Sequence, residues 1–319
     1  MEFISNCTAD AISNAAKALK SGHLVAFPTE TVYGLGADAT NKKAVSRIYS
    51  VKGRPSDHPL IVHISSINKL EDWATDIPDY AIKLAREFWP GPMTLILPRK
   101  EIAKDFITGG QNNIGLRVPA QPIALALLKK FEELGGEGIA APSANRFGAV
   151  SPTTAKAVEE ELGAFFDKDD LVLDGGQCLV GIESTIIDCT GLAPTILRPG
   201  AIIEEMIEHA LEKKAEKSQT RLGIKVPGLM DSHYAPKARI SLNSIAKPGE
   251  GFLALSKFPT PSGAIRLASP VSVDEYARDL YSALRSADQQ GLKKVAILAP
   301  EGEGLAGAIR DRLTKAATR

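Results

Sequence analysis

Apolar residues along this chain alternate between a helical period and short unbroken runs. Ala11, Ile12, Ala15, Ala16 and Leu19 share one helical face, with Thr8 placed to cap it and Gly22 to end it. The next run, HLVAFP, is too brief for a helix and stops at Pro28, which predicts a short buried strand. Ala44, Val45, Ile48 and Val51 return to helical spacing and give out at Gly53. LIVHI predicts another strand, and residues 78–89 another helix. Trp89-Pro90-Gly91-Pro92 ends that helix, because proline lacks an amide donor and restricts the residue before it. TLILP and IGLRVP predict strands separated by a Gly- and Asn-rich turn at 109–113. A helix over 122–134, the strand GIAAP, a helix after Ser151-Pro152-Thr153, and strands at LVLD, STIID and TILRP complete a first unit ending near Glu212. Helices and strands alternating in this way predict an α/β or α+β sheet protein.

Beyond that point the pattern changes. Residues 213–220 are charged and polar, and LGIKVPGLMDSHYAPK then mixes Pro, Gly, His and Tyr, so 213–237 reads as a linker. A plain spacer has little use for Met230, His233 and Tyr234 together. From Ala238 a smaller unit follows, with strands at GFLALS and KVAILAP, a helix over 273–289 and a last helix near the C-terminal end. A length of 319 residues suits two domains.

Composition narrows the setting. Lys plus Arg balances Asp plus Glu at 38 each, so no global field draws nucleic acid or an anionic membrane, and any anion site must come from local clustering. Three cysteines, Cys7, Cys178 and Cys189, fit a reducing compartment better than a disulfide framework. The first residues show no signal-peptide pattern, and apolar runs such as IALALL are too short to span a bilayer. The expectation is a cytoplasmic protein without a membrane segment, in which the sequon Asn6-Cys7-Thr8 has no use.

The chemistry is not that of a P-loop, since G-x-x-x-x-G-K-[ST] is absent. Gly34-x-Gly36-x-x-Ala39 weakly resembles a dinucleotide fingerprint. Gly302-x-Gly304-x-x-Gly307 follows a strand and opens a helix, but no further strand with an acid follows it, so tight strand-to-helix packing explains those glycines better. The segment from Phe27 to Gly36, FPTETVYGLG, concentrates hydroxyls, a carboxylate and two glycines that would let backbone approach a bound group. Lys52-Gly53-Arg54 leaves a helix with two cations suited to a polyphosphate. Arg117 lies amid apolar neighbours and needs an anionic partner or a route to water. APSAN leads into Ser151-Pro152-Thr153 at a helix start, where free amides favour anions. Ile182-Glu183-Ser184-Thr185 and Leu197-Arg198-Pro199-Gly200 add hydroxyls and another cation. Each segment alone has an ordinary structural explanation.

Their order is more specific. FPTETVYGLGA, KGRPSDHPLIVHI, FWPGPMTLIL, LRVP, APSAN with SPT, GIESTIID and LRPGAI resemble the YrdC-like family of threonylcarbamoyl-AMP synthases over about residues 21–201. The linker IKVPGLMDSHYAPK and the small second unit resemble that family's two-domain form. The resemblance implies an α/β fold, with a twisted mixed sheet and flanking helices in a catalytic domain over 1–212. It also implies a linker or lid over 213–237 and a small Rossmann-like α/β domain over 238–319. The implied reaction joins L-threonine, bicarbonate and ATP, releases pyrophosphate, and serves threonylcarbamoyladenosine modification of tRNA. Carried onto this chain, Lys52 and Arg54 are the expected catalytic phosphate ligands. His58, Ser143, Ser151, Arg198 and Tyr234 would line the ATP site with them. Thr31, His63, Arg117 and Ser184 would form the threonine side, with Arg117 facing the carboxylate, and His233 would stand beside Tyr234. Magnesium would shield the phosphates without a dedicated protein site, and the product would pass to a tRNA threonylcarbamoyl transferase. At His58 the family more often has Asn, which leaves this position's role open.

Three other readings compete. Lys42, Lys43, Arg47, Lys52 and Arg54 form a local basic run that would suit an RNA-binding module, against neutral overall charge and few interleaved aromatics. Carbamoyl transfer in hydrogenase maturation uses a related domain, but the CxxC motifs of its companion modules are absent. NAD binding would rest on the Gly302 motif alone. His58, His63 and His233 lack the spacing of a zinc site.

Overall fold

The computed structural model describes residues 1–5, 7–212, 224–228 and 234–318. Among the described residues of the first unit, ten strands form one mixed sheet. They are β1 Glu2–Ile4, β2 Val25–Phe27, β3 Gly34–Asp38, β4 Ile61–His63, β5 Met93–Pro98, β6 Asn113–Arg117, β7 Ile139–Ala140, β8 Leu171–Leu173, β9 Thr185–Asp188 and β10 Thr195–Arg198. Their order is β1-β8-β2-β3-β7-β4-β6-β5-β9-β10. The pairs β1·β8, β8·β2, β4·β6 and β5·β9 are parallel, and the remaining neighbours are antiparallel. β2 through β9 are almost wholly buried, which is why β2, β4, β5 and β8 read as apolar runs.

The helices follow the local signals. Thr8 caps Ala9–Lys20, its side chain accepting from the Ala11 amide at 3.2 Å. Gly53 ends Lys42–Lys52 in the left-handed region at φ 62°. One helical layer buries Ala15, Leu19, Leu127 and Phe131 against β2 and β8. The opposite face carries Val45, Ile48, Trp73, Leu84 and Ile107 over the centre of the sheet.

β3 and β1 were not legible as strands. β3 reads GLGAD and resembles a loop because two of its positions must be small. A side chain at Gly36 would lie 2.9 Å from both Phe27 and Ile139. Gly36 is therefore a packing residue, and only Gly34 of the pair borders the cavity described below. The G-x-G-x-x-A pattern is a strand rather than a turn opening a helix, so it does not have the geometry of a dinucleotide fingerprint.

Among its described residues the second unit has four parallel strands, β11 Arg239–Leu242, β12 Gly251–Leu253, β13 Ile265–Ala268 and β14 Lys294–Ile297, in the order β11-β14-β12-β13. The helices Val273–Gln289 and Leu305–Ala317 pack on them through Leu280, Leu284, Ile309 and Leu313. The glycines of the Gly302 motif do not serve strand-to-helix packing. Gly302 turns at φ 102° in open space, and at Gly304, at the helix start, an added side chain would lie 3.3 Å from Ile203 of the first unit.

The two units share a core, in which Val32, Val150 and Ile182 pack with Tyr234, Tyr276, Tyr281 and Leu284. At Gly181 (φ 80°) an added side chain would lie 2.3 Å from Arg278 Cα, so backbone meets backbone there. Among the described residues, no helix is long and apolar enough to cross a membrane.

Candidate active site

β3, β4, β6, the turn after β7, and the adjoining ends of β9 and β10 surround one cavity of about 580 Å³, including its mouth. Eight of the sequence-derived candidates line it: Thr31, Arg54, His63, Arg117, Ser143, Ser184, Arg198 and Tyr234. The sheet order explains the convergence. β4 and β6 are parallel neighbours and bring His63 opposite Arg117, while β9 and β10 pair antiparallel and bring Ser184 beside Arg198.

On the β6 side, Arg117 is already engaged. Its Nη2 donates to Glu30 Oε1 at 2.6 Å, its Nη1 to Thr31 Oγ1 at 2.9 Å, and its Nε to the Gly91 carbonyl at 3.3 Å. The anionic partner that the strand required is thus Glu30, whose second oxygen accepts from the Ala120 amide at 3.0 Å. Thr31 is held in turn by Thr29, 2.8 Å between hydroxyls. Burial, and then Arg117 nearby, lower the His63 pKa to about 3. Its imidazole is therefore neutral at physiological pH and presents a buried Nδ1 without a protein partner.

On the opposite side, Arg198 donates twice to the Ser184 carbonyl, at 3.0 and 2.8 Å, and once to Ser184 Oγ at 3.1 Å. Its Nη1 reaches the Pro227 carbonyl at 2.9 Å, tying the linker segment 224–228 to the cavity wall. Gly228 allows this close approach: at φ 85°, an added side chain would lie 2.4 Å from the Tyr234 hydroxyl and 3.3 Å from Arg198. Burial first lowers the Arg54 pKa to about 10, which leaves it cationic. Arg54 donates to the Pro59 carbonyl at 3.0 Å and keeps a buried Nε without a protein partner.

Three candidates do not line the cavity. Lys52 is fully enclosed and donates to the carbonyls of Ser143 and Asn145, each at 2.5 Å. Burial, with Arg54 and Arg146 close by, draws its pKa well below the ordinary lysine value. Ser151 donates to Glu183 Oε1 at 2.7 Å. His58 is half-buried, with its ring edge-on to Phe147 at 5.3 Å. His233 lies outside the described residues.

Sequence reasoning gave no role to Glu30, noted only as the carboxylate of FPTETVYGLG, or to Glu183. Glu183 lines the cavity and accepts from Ser151, from the Tyr281 hydroxyl at 2.9 Å and from Arg312 Nε at 2.8 Å. Burial alone would raise its pKa, but Arg312 and Arg198 outweigh burial and hold it at about 2. The single available signal was an acid inside the apolar GIESTIID segment.

The basic run that suggested RNA is dispersed. Arg47 is bidentate to Asp170 at 2.8 and 2.6 Å, Lys52 and Arg54 are buried, and Lys42 and Lys43 alone face solvent. The three cysteines are free thiols. Among the described residues no cluster of three or more His, Cys, Asp or Glu could hold a metal ion. Glu183, the one carboxylate among the described lining residues, has both oxygens engaged, so the cavity does not fit a protein-held magnesium ion.

Residues 17–200 match the Sua5/YciO/YrdC family model, described as telomere recombination, and residues 202–318 match that of the threonylcarbamoyl-AMP synthase C-terminal domain. The threonylcarbamoyl-AMP synthase of Pyrococcus abyssi is 40% identical over 95% of this chain and 92% of its own. That of Bacillus subtilis is 38% identical over 96% of this chain and 92% of its own. The crystal structure of P. abyssi Sua5 complexed with L-threonine superposes with a TM-score of 0.87 at 37% identity, covering 99% of this chain and 97% of that one. Ordered motifs, a cavity that gathers them, and relatives matching along both units lead to one assignment: the chain belongs to the threonylcarbamoyl-AMP synthase family, in its two-domain form.

Proposed function

We propose that this chain joins L-threonine, bicarbonate and ATP into L-threonylcarbamoyladenylate and pyrophosphate, for threonylcarbamoyladenosine modification of tRNA. The observation carrying this reading is the convergence of Arg54, Arg117 and Arg198 with the hydroxyls of Thr31, Ser143 and Ser184 on one cavity. Three guanidiniums there suit a triphosphate and an amino-acid carboxylate together.

In this assignment Arg54, Ser143, Arg198 and Tyr234 bind ATP directly. Lys52 and Ser151 act on the same site by holding the Ser143 turn and Glu183. His58 belongs to the rim. Thr31, His63, Arg117 and Ser184 receive threonine, with the neutral His63 as a hydrogen-bond partner rather than a cation. The threonine amine attacks carbon dioxide released from bicarbonate and loses a proton to form the carbamate. The carbamate oxygen then attacks the α-phosphorus of ATP, and pyrophosphate leaves. No protein nucleophile is needed, so the chain's contribution is orientation and stabilisation of charge on the phosphates. Magnesium enters with ATP as part of the substrate. A carbamate loses carbon dioxide readily in water, which gives a solvent-excluding linker a purpose. Tyr234, which lines the cavity, and the Pro227–Gly228 segment, whose Pro227 carbonyl accepts from Arg198, support that role.

We assign catalysis to residues 1–212, the linker and lid to 213–237, and support of the lid to 238–319. The setting in this reading is the cytoplasm, with hand-over of the labile product to a tRNA threonylcarbamoyl transferase. Incubation with ATP, magnesium, bicarbonate and labelled threonine should yield the mixed anhydride and pyrophosphate, dependent on all three substrates. Pyrophosphate release indifferent to threonine would instead indicate a generic nucleotidyl transferase.

A further inference from the structure

Arg312 stands on the helix Leu305–Ala317 of the second unit, yet its fully buried guanidinium reaches Glu183 and Pro199 of the first unit's site wall. Its Nε donates to Glu183 Oε2 at 2.8 Å and its Nη2 to the Pro199 carbonyl at 2.9 Å. Its guanidinium carbon lies 5.4 Å from the centre of the Tyr234 ring, which stacks on Tyr281 at 5.7 Å. Glu183 immediately precedes Ser184, and Pro199 immediately follows Arg198. These are the two ends of the β9–β10 pair that open toward the cavity. One side chain from the distant unit thus brackets both strand ends and touches the linker aromatic.

The charge balance of the cavity points the same way. A carboxylate bordering a cavity that must receive a triphosphate repels its ligand, and more strongly where water is excluded. Glu183 faces Ser151, Tyr281 and Arg312 directly, with Arg198 and Tyr234 close by; Arg312 is its ion-pair partner and also contacts Asp311 at 2.6 Å. With Arg312 present, the acid's charge is neutralised by an ion-pair partner. Without it, a buried unpaired carboxylate would face the ligand and the Ser184–Arg198 geometry would lose its bracket.

We propose that Arg312 is a positioning residue supplied by the C-terminal unit, which neutralises and aims Glu183 and thereby sets the nucleotide side of the cavity. This rests on the functional reading above, specifically on ATP occupying that side. The second unit thereby gains a definite role, since the active site is completed across the domain boundary.

The test uses the full chain and reads ATP affinity by titration calorimetry, with the ATP and threonine KM values and a thermal melt beside it. Arg312→Met should weaken ATP binding about tenfold or more and raise the ATP KM in parallel. Adding Glu183→Gln should recover most of that loss, because the repelling charge is removed with its partner. A merely structural role would lower the melting temperature without this recovery. ATP affinity within twofold of the parent in Arg312→Met, or losses in the double variant that simply multiply those of the two single variants, would overturn the proposal. Should Arg312→Met fail to fold, Arg312→Gln, which keeps a hydrogen-bonding amide but removes the charge, takes its place under the same thresholds. A parent chain that binds no ATP would remove the functional reading and this inference together, whereas a parent that binds and a variant that does not differ would remove the inference alone.

Discussion

Removing Glu30 is the most direct trial of how the threonine side is built. Its carboxylate is buried, accepts from Arg117 at 2.6 Å and from the Ala120 amide at 3.0 Å, and is the one acid in ion-pair contact with Arg117 among the described residues. Glu30→Ala leaves a buried guanidinium facing only Thr31 and the Gly91 carbonyl. Breaking one side of a buried pair costs about 3–5 kcal/mol. At roughly 2–4 °C per kcal/mol for a unit of about this size, melting should fall by roughly 6–20 °C. Glu30→Gln keeps one acceptor and should lose about half as much. Arg117 also borders the cavity, so the threonine KM should rise in both variants while the ATP KM moves little. The double change Glu30→Ala with Arg117→Met separates the two effects, because it removes the unpaired charge. Stability should largely return, and threonine affinity should not. Thermal melts followed by circular dichroism and threonine KM at saturating ATP supply the readings. A Glu30→Ala protein that melts within about 2 °C of the parent, less than a single kcal/mol would produce, with an unchanged threonine KM would refute the reasoning.

Three further outcomes follow from the same geometry. Lys52→Met removes both bonds to the Ser143 and Asn145 carbonyls and should raise the ATP KM by about tenfold or more; an unchanged KM would show that the Ser143 turn holds itself. The His63 pKa is depressed to about 3 from an unfolded value near 6.5, so the unfolded chain binds the extra proton between those limits. Stability from this residue is therefore complete above pH 6.5 and declines as pH falls, by about 2 kcal/mol at pH 5. Urea unfolding at pH 7 and pH 5 should show that difference shrinking in His63→Gln. Gly181→Ala forces a left-handed alanine at φ 80° against the backbone at Arg278. It should cost at least about 1–2 kcal/mol and weaken ATP binding through Glu183, and a melt and ATP affinity equal to the parent would contradict the described contact between units.

Local structure and the family were legible in the residues themselves. Thr8 and Gly53 mark helix ends because capping needs only neighbours in sequence. LIVHI, TLILP and LVLD read as strands because each is buried along its length. The ordered motifs also named eight residues that do line one cavity. Strand β3 escaped because its smallness answers to Phe27 and Ile139, which reach it only across the sheet.

The division of labour inside the site was decided by tertiary structure. Nothing local distinguishes Lys52, enclosed behind the Ser143 turn, from Arg54, which borders the cavity two residues later. Arg117 needed an anion in any fold, but only the placement of the Thr29–Thr31 turn over β6 makes that anion Glu30. Arg312, over a hundred residues from Glu183, carries no sequence mark at all. A buried ion pair is chosen by which charges the fold brings out of water together, and hydrophobic period and capping chemistry are silent on that choice.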